Sequence, residues 1–218
     1  MVFAVADLNG DIVGLFRMPD ATVFSIDVAV AKARNVAYYN SSLLVAADKP
    51  NDPIDPTTTP NLTAYTSRTF RYLASSRYPT GTAVGIPPGA FSSLLAAGIN
   101  SANAENLTTA MPFSAYSTNT TPELMFDSFN VGRNFRDPRI AGSPNQNGVV
   151  FFPGSSGLYS GNTLLGGLGV SGDGVDQDDV VTTAASLAYA APPALRADMY
   201  FIRNVRLPYS KFNRNPLL

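Results

Sequence analysis

The chain has 218 residues, a formal charge of -1, 45% hydrophobic residues, and neither Cys nor His. The missing residues exclude thiol nucleophiles, disulfides, His-based triads, most zinc sites and the commonest protein ligand of haem. Near-neutral charge without a basic run argues against nucleic acid as the main partner, and no stretch reads as a membrane span. Lysine occurs only at 32, 49 and 211 while Asn, Thr, Ser, Gly and Pro abound. The compartment is left open between cytoplasm and export, with no signal peptide in the chain to decide it.

Val2 to Leu8 and Asp11 to Met18 flank Asn9-Gly10, which predicts two strands joined by a type I′ turn. That register pairs Ala6 with Val13 and Ala4 with Leu15 on one face, and Phe3 with Phe16 and Val5 with Gly14 on the other. Both faces are mainly apolar. The hairpin is therefore expected inside a sheet covered on both sides, or covered on one side by another subunit. Asp7, Asn9 and Asp11 imitate the start of a calcium loop, but Ile12 stands where that loop needs glycine, which favours a plain turn.

Ser25 predicts the N-cap of a helix from Ile26 to Tyr39, with Phe24 stapled onto Ala29 and Asp27 in the first turn. Ile26, Val30, Ala33 and Ala37 form a narrow stripe of mostly small side chains suited to close packing on a sheet. Lys32 and Arg34 lie off that stripe, as solvated charges or as contacts for an anionic ligand.

From Ser41 to Asn147 Pro, Thr, Asn and Ser dominate, as in KPNDPIDPTTTPN, and only Ser67 to Ser75 and Phe91 to Asn100 look helical. So long a stretch is expected to be an ordered excursion that packs its aromatic side chains on the core or on a neighbour. Arg133, Arg136 and Arg139 are expected to pair with Asp127 and Asp137, with an acidic ligand as the alternative. Sequons at Asn40, Asn61, Asn106 and Asn119 match glycosylation acceptors, in a composition where chance matches are common.

Gly148 to Pro153 and Leu158 to Val170 return to strand pattern, with a turn at Gly161-Asn162. Leu164 to Val170 carries glycines in place of large side chains, as suits a central strand that another element approaches closely. Ser171 to Gly174 stop it. Asp176 is the expected cap of a helix from Gln177 to Ala190, with Asp179 closing a short capping box. Asp178 and Asp179 oppose the positive end of the dipole, and Val180, Val181, Ala184, Leu187 and Ala188 form the expected buried stripe. The oxygen-bearing groups here also suit a calcium loop, but no Glu closes it. Pro192-Pro193 ends regular structure, Asp198 to Leu207 reads as a last strand, and KFNRNPLL reads as a strap laid over a surface.

With these residues placed, the chain resembles the GlcG/HbpS-like haem-binding family, which also supplies the carboxy-terminal domain of PduO-type proteins. The blocks that carry the resemblance are VADLNGDIVGLFRMPDATVFSIDVAVAKAR (5–34) and VVFFPGSSGLYSGNTLLGGLGVSGDGVDQDDVVTTAA (149–185). It implies an α+β fold, an antiparallel sheet with packed helices in a profilin/PAS-like layout. The single domain would have its core at 1–40 and 148–192, an insertion at 41–147 and a C-terminal strap at 193–218. It also implies homo-oligomers and the binding of haem or a related tetrapyrrole.

The chain departs from that family twice. Relatives usually place an amphipathic helix before the hairpin, so either the chain is a fragment or another segment covers that face. With no His available, haem would be held by Tyr or Met, or through Arg and Lys contacts to its propionates. Arg17, Met18, Lys32 and Arg34 are the resulting candidates for cofactor binding, and no catalytic or metal-ligating residue is singled out. The expected function is a non-enzymatic small-molecule-binding module for a tetrapyrrole or other anionic ligand. A structural or oligomerisation domain is the alternative. An enzyme using carboxylates such as Asp173 and Asp176, or a Lys/Tyr pair, comes third, because no spacing joins a nucleophile to a base.

Overall fold

A computed structural model describes residues 1–42, 62–69, 150, 152–202 and 205–211. The expectations for Phe91 to Asn100, for Arg133, Arg136 and Arg139, and for the sequons at Asn61, Asn106 and Asn119 lie outside the described residues.

The alternation of Val2–Ala6 (β1) and Ile12–Arg17 (β2) makes an antiparallel hairpin. Phe3 pairs with Phe16, Ala4 with Leu15 and Val5 with Gly14, as the pattern predicts. Ala6, however, pairs with Ile12 and not Val13, because the ladder slips between Val5 and Ala6. The turn is the cause. A type I′ turn needs two residues with positive φ, and here Gly10 has φ 78° while Asn9 does not. The Asp7 carboxylate instead accepts the amides of Asn9 (2.8 Å) and Asp11 (2.9 Å), and the Asp7 carbonyl accepts the Gly10 amide at 3.2 Å. The result is a three-residue loop closed by a glycine bulge.

Phe24–Tyr39 (α1) follows. It begins earlier than predicted. Val23 holds the cap position without a side-chain bond, while Ser25 sits in the first turn with its hydroxyl 2.7 Å from that of Thr22. Every side chain from Val28 to Tyr39 is buried, well beyond the narrow stripe expected.

Ser155–Ser160 (β3) and Thr163–Ser171 (β4) complete a four-stranded antiparallel sheet of order β2-β1-β4-β3. Gly161, at φ 57°, turns the chain between them. Residues 150, 152 and 153, within the stretch expected as a further strand, lie outside any strand. β4 runs beside β1, with Val2 opposite Ser171 and Ala6 opposite Gly167. Two blocks separated by more than a hundred residues therefore share one sheet, and the fold is α+β.

The glycines of β4 explain why α1 fits. A Cβ on Gly167 would lie 2.2 Å from the Ala33 carbonyl oxygen, and one on Gly169 would lie 2.1 Å from that of Ala29. The helix backbone rests directly on the strand. Val2, Ala4 and Ala6 pack there with Ala21, Ala29, Val30 and Ala33 as the core beneath the helix.

Val175–Ala185 (α2) is shorter than the predicted helix and turns the other way round. Gly174 occupies its cap position, and a separate 3-10 turn at Leu187–Tyr189 replaces the predicted end. The face it buries carries Asp178, Asp179 and Thr182, whereas Ala184, Leu187 and Ala188 are exposed. Pairing of the carboxylates with the cations of Lys32 and Arg68 outweighs apolar patterning at this position. The last predicted strand is also replaced. A 3-10 turn at Ala197–Met199 leads to a small separate hairpin of Phe201–Ile202 (β5) and Val205–Arg206 (β6).

Candidate functional site

The four candidate residues fall in three places, and the structure does not bring them together. Lys32 is completely buried, donating to Asp178 Oδ2 at 2.9 Å and to the Val170 carbonyl at 2.7 Å. Burial lowers its ammonium pKa against the opposing pull of Asp178. Arg34 is buried as well, and its Nε donates to the Gly10 carbonyl at 2.7 Å. These charges are structural ties: one joins α1 to α2 and β4, the other joins α1 to the hairpin turn. The solvated reading of both is corrected, because each stem lies inside the protein and its polar head is consumed there.

Arg17 and Met18 lie at the far end of β2 and are exposed. β2 ends at Arg17, but the Met18 amide still donates to the Met1 carbonyl at 2.9 Å, so the alternation carries on one residue further. Phe16 and Met18 then share the face of Phe3 and Val5. Arg17 emerges on the opposite face, where its guanidinium Nε and an NH2 group both donate to the Ala21 carbonyl.

This end of the sheet is unusually apolar for an edge. Val13 is 66% exposed, Leu15 50%, Phe16 62% and Met18 37%. The Phe3 and Phe16 rings meet at 6.2 Å and 46°. Beside them Gly14 leaves an open floor, since a Cβ there would touch nothing nearer than Val5 Cβ at 3.8 Å. Edge strands are normally blunted by charge, Pro or cover. β2 has one charge, Arg17, at its end.

A second constellation escaped sequence reasoning because its partners are far apart in the chain. Arg68 donates to Asp176 Oδ1 (2.8 Å) and Asp179 Oδ2 (2.7 Å). Lys211 donates through its ammonium to Asp176 and through its amide to Asp179. Lys211 and Arg68 together hold the Asp176 carboxyl below the usual carboxylate range. Asp179 is fully buried, and its desolvation pushes the carboxyl the other way in spite of the cations. The only prior signal was the run of Asp residues, which read as a helix cap.

Among the described residues the Thr182 and Thr183 hydroxyls donate to the Asp178 and Asp179 carbonyls and not to their carboxylates. The Ser67 and Ser155 hydroxyls meet each other at 2.8 Å, and both described lysines are ion-paired. No group of three or more Asp or Glu is placed to hold a metal ion among these residues. Asn40 is committed too, accepting the Tyr65 amide at 2.6 Å and donating to the Tyr65 carbonyl at 3.0 Å.

No family model and no curated protein sequence matches the chain. Solved structures do. One is the Klebsiella pneumoniae protein ORFY, described with the family DUF336, with a TM-score of 0.40 at 16% identity over 86% of this chain and 73% of that one. Another is a complex of PduOC with haem, with a TM-score of 0.36 at 17% identity over 94% of this chain and 81% of that one. Both are likenesses of fold. In this chain the hairpin at 2–17 and the glycine strand at 163–171, which belong to the two sequence blocks quoted for the family, lie in one sheet under a helix of small side chains.

Proposed function

We propose that this chain is a non-enzymatic module that binds a flat, largely apolar small molecule bearing anionic groups, and that haem or a related tetrapyrrole is such a molecule. The observation that supports the reading is the apolar edge β2, which among the described residues exposes Phe16 and Met18 on one face and Arg17 on the other. The chemistry of these residues fits a tetrapyrrole. The Phe3 and Phe16 rings and the open floor at Gly14 suit the face of a macrocycle. Met18 offers a soft thioether donor. Arg17 uses two of its N–H groups on Ala21, and a guanidinium with donors to spare suits a propionate. When bound, haem would supply the redox-active iron. The chain supplies the apolar contact, the thioether and the cation.

The test is a haemin titration of the folded chain, following the Soret band. Saturable binding is expected, weakened at least tenfold in Phe16→Ala and with an altered band position in Met18→Ala. A folded chain that gives no saturable Soret change contradicts the proposal.

A second reading draws on the same strand. An edge strand with no outer neighbour among the described residues is also suited to pairing with another subunit, as a structural domain would use it. Sedimentation separates the two readings: a dimer that persists without ligand and is lost in Phe16→Asp, together with no tetrapyrrole binding, favours the structural one.

A further inference from the structure

Two short segments distant in sequence close over one tyrosine. Residues 62–69 reach the core through Ala64, whose amide donates to the Leu195 carbonyl at 2.6 Å and whose carbonyl accepts the Ala197 amide at 2.9 Å. Residues 207–211 lie alongside. Thr69 Oγ1 donates to the Pro208 carbonyl at 2.7 Å, and Thr66 Oγ1 donates to the Tyr209 carbonyl. The Tyr209 ring lies under the Arg196 guanidinium at 4.8 Å. Tyr159 of β3 sits beneath both segments, packed with Ala64, Ala191 and Tyr209.

One carboxylate ties the two segments to each other and to the core. Asp179 accepts Arg68 from the first segment, the Lys211 amide from the second and the Gly154 amide (3.3 Å) from the approach to β3. Asp176 repeats the arrangement with Arg68 and the Lys211 ammonium. Neither segment can lift without breaking bonds to a group that also holds the other.

The closed arrangement carries a built-in penalty. Tyr159 is 4% exposed, and its hydroxyl has no hydrogen-bond partner among the described residues. Leaving a buried hydroxyl unpaired costs free energy that water would restore on opening.

We propose that residues 62–69 and 207–211 form a two-part latch, keyed by Asp176 and Asp179, that opens as one unit and uncovers the Tyr159 hydroxyl. The burial of that hydroxyl biases the latch toward opening, and the shared carboxylates make the opening concerted. Segments that open locally are where ligands and partners gain access in folded proteins.

The experiment is native-state amide hydrogen exchange on the full chain, comparing wild type with Lys211→Ala and Tyr159→Phe, with β1 amides as the control for intact fold. Lys211→Ala removes an exposed pair on the tail side only, and it is expected to speed exchange by about two- to fivefold at Leu207 and equally at Tyr65 and Ser67. Tyr159→Phe deletes the unpaired hydroxyl and is expected to slow both segments by about fivefold or more. Faster exchange at Leu207 with Tyr65 and Ser67 unchanged overturns the concerted latch. Unchanged or faster exchange of both segments in Tyr159→Phe overturns the bias.

Discussion

Placing a methyl group on Gly169 tests the central packing of the fold. Its Cβ would lie 2.1 Å from the Ala29 carbonyl oxygen, 2.5 Å from the Ala33 amide nitrogen and 2.9 Å from Lys32 Cβ. Two of the three are backbone atoms of α1, so no rotamer change makes room, and the helix itself must move off the sheet. Overpacking costs about 1–3 kcal/mol where side chains can adjust, and more where backbone must shift, so Gly169→Ala is expected to cost about 3 kcal/mol or more. For a chain of this size that corresponds to a fall in Tm of about 6–12 °C. Gly14→Ala is the matched comparison, because its Cβ would meet only Val5 Cβ at 3.8 Å and Cγ2 at 4.0 Å. It is expected to be neutral within about 0.5 kcal/mol. Thermal and urea unfolding followed by circular dichroism measure both. Coincident melting curves for the two variants would refute the claim that α1 lies directly on β4.

Three further outcomes are expected. Lys32→Met leaves the Asp178 carboxylate buried opposite no cation, and it should destabilise the chain by about 3–5 kcal/mol in urea unfolding. The double variant Lys32→Met with Asp178→Leu should recover most of that, and a double variant no better than the single would argue against the pair. Burial pushes the Tyr209 hydroxyl up to about 12 and raises that of Tyr159 as well, while an unfolded tyrosine titrates near about 10. Between those values the folded chain keeps protons that the unfolded chain releases. This contribution to stability is complete below pH of about 10 and is lost as pH rises toward about 12; the loss should be shallower in Tyr209→Phe, and equal slopes would contradict it. Asn40→Ala removes both bonds to Tyr65 and should cost about 2 kcal/mol in the same unfolding assay, with no measurable change contradicting that tie.

The backbone plan is legible in the sequence where local signals and packing agree. Asn9-Gly10 marks the hairpin, and Gly166, Gly167 and Gly169 mark the strand that α1 covers. The exact loop type is not, because the Asp7 carboxylate outcompetes the type I′ turn by bonding two amides at once. The burial of α2 is misread for a related reason. Val180, Val181, Ala184 and Leu187 have the spacing of a core stripe, yet the helix turns Asp178 and Asp179 inward to meet Lys32 and Arg68, cations more than a hundred positions away. No local pattern carries that information. Lys32 and Arg34 likewise look like solvated charges on a helix and become internal ties once both faces of α1 are covered. Arg17 and Met18 are exposed, and the predicted strand that carries them ends one residue before Met18.

The most direct test of the binding surface is a titration of isotope-labelled chain with diamagnetic gallium protoporphyrin, followed by amide chemical shifts. Saturable shifts gathered at Phe3, Gly14, Phe16, Arg17 and Met18 are the expected result. Saturable shifts gathered around Tyr159 and Tyr209 with none on β2, or no saturable shift at all, would contradict it.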